Sequence, residues 1–179
     1  IAASFNGHFD GDGYTVSGLH IEDASGNVAF FGKLGNNAVV ENLRISECYF
    51  KGETAGAIAA IVNGTYVTIQ NCFVEEDVTV IANKNAGGIL GYLSNNSFTM
   101  HNCGFVGKVA TSSQTEKAAG LIGGLSKVAN SVAYCTISTS YAVTTDNDPA
   151  FNLNDQYNGV CIAGVYSNVE FPRDQIHPD

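Results

Sequence analysis

Asp10-Gly11-Asp12-Gly13 sets two carboxylates two residues apart in a glycine-rich stretch, as at the start of a calcium loop. An EF-hand also needs an oxygen ligand at loop position five and a glutamate at position twelve. Tyr14 and Ile21 stand there, which excludes that motif. Asp10 and Asp12 remain a weak calcium candidate, against the plainer reading of a turn leading into a strand. His8, His20, His101 and His177 show neither an HExxH pattern nor an i, i+4 pair, so no zinc site of the peptidase type is expected. His101 is expected to face solvent beside Gln70. Glu75-Glu76-Asp77 and Glu22-Asp23 bring carboxylates together, the groups that glycoside hydrolysis uses in pairs. Adjacent acids on a loop more simply keep a surface hydrated, and no GxSxG serine motif is present. No catalytic residue, cofactor or resident metal is therefore expected. Tyr49, Tyr66, Tyr92 and Tyr157 could stack on sugars, although tyrosine also suits the half-buried surface of a strand.

The 179 residues are 45% hydrophobic and 14% charged, which fits one domain with a real core and excludes an acidic disordered tail. A net charge of −9 repels phosphate backbones and makes nucleic acid an unsuitable partner. No apolar run approaches the roughly 18 residues of a membrane span. The five cysteines (48, 72, 103, 135 and 161) include no CxxC pair, so a disulfide framework or zinc knuckle is disfavoured and free thiols are expected.

The elements that position these groups are announced by internal repetition. Ile69-Gln-Asn-Cys-Phe-Val74 is similar to Met100-His-Asn-Cys-Gly-Phe105 and Val40-Glu-Asn-Leu-Arg-Ile45, with further copies at Val16–Ile21 and Val132–Ile137. A second motif alternates with the first. Ala86-Gly-Gly-Ile-Leu-Gly-Tyr-Leu93 aligns with Ala118–Leu125, and weaker copies run from Ala55 to Val62, Ala29 to Leu34 and Val160 to Val165. The centre of the first motif falls at Leu19, Leu43, Cys72, Cys103 and Cys135, spaced by 24 to 32 residues. The copies are rich in Val, Ile, Thr, Phe and Tyr and punctuated by Gly and Asn, which favours strands over helices. Propeller blades need about 40 residues, longer than this period. The expected fold is all-β: a parallel β-helix (β-solenoid) of about five turns. Right-handed coiling is expected because parallel crossovers adopt it.

In Ile69…Cys72…Val74 the apolar spacing is three and then two, so both ends face inward only if the chain bends between them. Asn42, Asn71 and Asn102, with Gly18 at the matching place, are types that accept a left-handed backbone. Stacking should place Leu19, Leu43, Cys72, Cys103 and Cys135 in one interior column. The three asparagines should form a hydrogen-bonded ladder beside it. The glycines of the second motif should sit where backbones pack closely.

The whole of 1–179 reads as one solenoid domain cut from a longer chain, with another domain or more turns expected upstream. Residues 144–158, which contain the first proline, read as an inserted loop. Residues 166–179 read as an irregular C-terminal cap or tail.

Phe5-Asn-Gly-His-Phe-Asp-Gly-Asp-Gly-Tyr-Thr-Val-Ser-Gly-Leu-His-Ile21, with Gly-Gly-Ile-Leu-Gly and Ala-Gly-Leu-Ile-Gly downstream, resembles the bacterial GLUG-motif repeats. That resemblance implies a β-solenoid module of a secreted or cell-surface bacterial protein, acting as adhesin or scaffold. It leaves the ligand open between host protein and glycan, and implies no membrane insertion of this segment. The family also occurs in N-terminal regions of IgA1-type metallopeptidases. The alternative expectation is therefore an accessory, non-catalytic region of a secreted metallopeptidase or carbohydrate-active enzyme.

Overall fold

The computed structural model describes residues 4–94, 97–112, 117–125, 135–138, 140–142 and 163–165. The expected insert at 144–158, the tail at 166–179, Tyr157, Cys161 and His177 lie outside them. The described residues form short parallel strands joined by tight corners, and each turn visits four sheets in a fixed order.

The first face stacks His8–Asp10, Val39–Glu41, Val67–Gln70, Phe98–His101 and Cys135–Ser138. The second stacks Thr15–Ser17, Arg44–Ser46, Phe73–Val74, Gly104–Phe105 and Tyr141–Ala142. The third is built from His20–Val28, Tyr49–Ala55, Thr79–Gly87 and Lys108–Thr111, with Lys117–Ala119 paired to the far half of Thr79–Gly87. The fourth holds Phe31–Leu34, Ala59–Val62, Leu90–Leu93, Ile122–Leu125 and Ala163–Val165. Four turns and strands of a fifth make a β-solenoid, the architecture its repeat implies.

Alternation along each strand creates the interior. Val40, Ile69 and Met100 point inward from the first face, Ile45, Val74 and Phe105 from the second, and Phe50 and Val80 from the third. All are fully buried, each aliphatic side chain contributing about 1.5–3 kcal/mol of hydrophobic stabilisation. Their first-turn equivalents Phe9, Val16 and Ile21 are only half-buried. The second-motif glycines permit close backbone approach, as expected. A Cβ at Gly87 would lie 1.9 Å from the Leu90 carbonyl oxygen and 2.5 Å from the Gly123 nitrogen.

The register corrects two expected column members. Leu19 stacks at the level of Cys48, not Leu43, because Ser17 pairs with Ser46 and His20 with Tyr49. Gly18 is left-handed as expected (φ 75°), but at the corner between second and third faces, where Glu47 (φ 49°) is its equivalent. Cys135 pairs with Phe98, at the level of Val67. The place above Cys103 falls instead to Ser140, whose hydroxyl accepts the Cys103 N–H at 3.1 Å. The cause is that two successive corners use the same device, a left-handed residue followed by an inward apolar one. Motif similarity cannot tell one corner from the next.

Turn lengths differ at corners, where residues 11–14 stand against 42–43, and at a bulge within the third face. Between paired positions, three residues (24–26) stand against one in the second turn, and two (83–84) in the third. The Asn83 side chain bridges across the shorter turn, donating to the Ala24 carbonyl at 2.9 Å.

Candidate functional site

Among the described residues, three of the four kinds of junction between faces carry left-handed residues. Asn42, Asn71 and Asn102 (φ 55°, 53° and 49°) turn the chain from first face to second. Their amides form the expected ladder: Asn102 donates to Asn71 at 3.0 Å, Asn71 to Asn42 at 3.2 Å, and Asn42 to Asp10 Oδ1 at 2.9 Å. Asp10, weighed above as half of a calcium site, thus terminates the ladder, and the same oxygen accepts the Asp12 N–H at 2.8 Å. The Asn42 amide, followed by the Asp12 N–H, holds the Asp10 carboxyl below its ordinary range. Among the described residues no group of three or more His, Cys, Asp or Glu side chains is arranged to hold a metal ion.

Of the acids considered for glycoside chemistry, Glu75, Asp77, Glu22 and Asp23 are committed to neighbouring turns or to local caps. Glu75 pairs with Arg44, whose guanidinium also lies 5.0 Å over the Phe73 ring. Asp77 Oδ1 accepts the N–H of left-handed Glu47 at 2.8 Å. Glu22 meets Lys51 at 2.6 Å, which lowers the carboxyl pKa and raises that of the ammonium. Asp23 accepts from the Ser25 N–H at 3.1 Å and its hydroxyl at 3.2 Å. Glu53 pairs with Lys84. Glu76 is exposed. These inter-turn pairs escaped the sequence reading, although opposite charges one period apart signal them once the register is known.

On the first face, Glu41 accepts from the Gln70 amide at 2.5 Å and meets His8 Nε2 at 2.5 Å. The Gln70 amide, then His8, pull its carboxyl below the usual value. His101 pairs in register with Gln70 and is exposed, as expected.

Cys48, Cys72 and Cys103 are buried free thiols, as expected. Cys72 Sγ donates to the Gln70 carbonyl at 3.2 Å and Cys103 Sγ to that of His101 at 3.4 Å. The adjoining Cys103 thiol and burial push the Cys72 thiol pKa far up. Of the tyrosines weighed for sugar stacking, Tyr49 is half-buried and stacked on His20 with centroids 4.7 Å apart. Tyr92 is half-buried, and Tyr66 is exposed.

The four-sided coil places the chain among the β-solenoids. Residues of this chain are similar to two much longer proteins. A protein described as a Gly-rich membrane protein, from Evansella cellulosilytica, is 37% identical over 76 residues, which cover 41% of this chain and 9% of that protein. Halomucin from Haloquadratum walsbyi is 34% identical over 96 residues, covering 52% of this chain and 1% of that protein. The chain thus spans a small fraction of either relative. No family model matches it, and no solved structure does.

Proposed function

We propose that this chain is a non-catalytic β-solenoid module of the GLUG-repeat type, belonging to a secreted or cell-surface protein. It holds neighbouring parts of its parent at a fixed spacing and offers its faces as an adhesive surface. The observation that carries this reading is the fate of the polar side chains. Four of the five acids weighed for chemistry are tied turn to turn or cap a local turn, as in Glu22–Lys51, Glu75–Arg44 and Asp77–Glu47, and Glu76 is exposed. Such ties suit a stiff stacked body better than a reacting centre. Likeness to a membrane protein and to halomucin supports the location. The experiment is surface labelling of intact source cells with an antibody against this segment, alongside a reducing-sugar assay on the purified chain. Surface labelling without cleavage is expected. A protein reached only after lysis, or cleavage abolished by Glu75→Gln, would overturn the proposal.

A further inference from the structure

Tyr66 sits at the corner entering the first face with φ 57°, and its stacked equivalents are Asn37 (59°) and Ser97 (69°). Asparagine tolerates the left-handed region by bonding locally, whereas a bulky aromatic residue there is a steric outlier. The residue is 71% exposed, so burial does not offset the strain. A strained residue that the fold does not require directs attention to what its side chain contacts outside the fold.

Tyr66 borders the outer surface of the first face. Beyond it Thr68 and Thr99 stand in register and half exposed, followed by the row Glu41, Gln70 and His101. At the diagonally opposite corner, in the first turn, Tyr14 is 73% exposed. Tyr14 and Tyr66 are the large hydrophobic side chains most open to water among the described residues. Strand rise and spacing put them on the order of 15–20 Å apart. The five strands of this face contain no Lys or Arg. An anionic glycan or a phosphate chain would therefore meet Glu41 and Asp10 with only histidine to offset them. Two exposed aromatic side chains, separated by hydroxyl, amide and imidazole groups along one face, suit sugar rings, whose C–H faces stack and whose hydroxyls hydrogen-bond.

We infer that the outer first face, from Tyr66 across Thr68, Gln70 and Glu41 to Tyr14, binds one neutral polysaccharide chain. This rests on the reading as a non-catalytic surface module and names its ligand class. The test is calorimetric titration of the purified chain with neutral cello-, laminari-, manno-, xylo- and chito-hexasaccharides, with an oligouronate as the anionic control. At least one neutral probe binds, and the oligouronate does not. Tyr66→Asn lowers the affinity about tenfold, equivalent to about 1.4 kcal/mol, while raising the melting temperature because asparagine suits the corner. Tyr14→Ala weakens binding likewise, and Glu53→Gln, on the third face, leaves it unchanged. Silence across the panel, preference for the oligouronate, or full affinity in Tyr66→Asn would overturn the assignment. Silence with the protein still labelled on the cell surface removes this strip alone, whereas cleavage of a bound probe removes the module reading itself.

Discussion

Replacing Asn71 by alanine tests the corner ladder where it is continuous on both sides. The substitution removes the amide donated to Asn42 at 3.2 Å and the carbonyl accepting from Asn102 at 3.0 Å. At an exposed corner each bond contributes about 0.5–1 kcal/mol, the lower part of the usual range. Alanine must also hold φ near 53°, which costs about 1 kcal/mol or more for a residue with a Cβ. The sum is about 2–3 kcal/mol. For a chain of this size it corresponds to a fall in melting temperature of about 5–10 °C. Asn71→Gly loses the same bonds without the steric strain and should fall by about half as much. Urea and thermal unfolding followed by circular dichroism measure both variants. An Asn71→Ala chain as stable as the parent would refute the ladder, and equal losses for alanine and glycine would refute the strain argument.

Gly87→Ala places a methyl group against the Leu90 carbonyl and the Gly123 backbone. A loss of about 3 kcal/mol or more is expected in the same unfolding assay. Cys72 and Cys103 should resist iodoacetamide in the native chain and react fully in urea, as read by peptide mass mapping, because both are buried. Asp10, Glu22 and Glu41 have pKa values lowered from 3.8, 4.5 and 4.5 respectively. Their contribution is present above those ordinary values and is lost as pH falls through the depressed ones, so the melting temperature should drop below about pH 4. Lys51 is raised from 10.5, so its share is present below that pH and lost as pH rises beyond it. Glu22→Gln should weaken both trends.

The period, the parallel stacking and the asparagine ladder were legible in the sequence because each follows from one local rule. Inward spacing of three then two demands a bend, and Asn42, Asn71 and Asn102 supply it. Column membership at Leu19 and Cys135 was not legible. A solenoid turn has several corners of the same chemistry, so a one-corner slip preserves the motif while moving the residue to another wall. Only backbone pairing, as of Cys135 with Phe98, resolves that ambiguity. The strain at Tyr66 was hidden for a related reason. Its position becomes anomalous only when aligned with Asn37 and Ser97, and that alignment depends on the register.

The central claim is that equivalent residues of successive turns lie one strand spacing apart in parallel register. Nuclear Overhauser contacts between backbone protons of the isotope-labelled chain test it most directly. The account predicts contacts linking Val40 with Ile69, Ile69 with Met100 and Phe98 with Cys135. Antiparallel contacts between strands adjacent in sequence, with none between Val40, Ile69 and Met100, would contradict it.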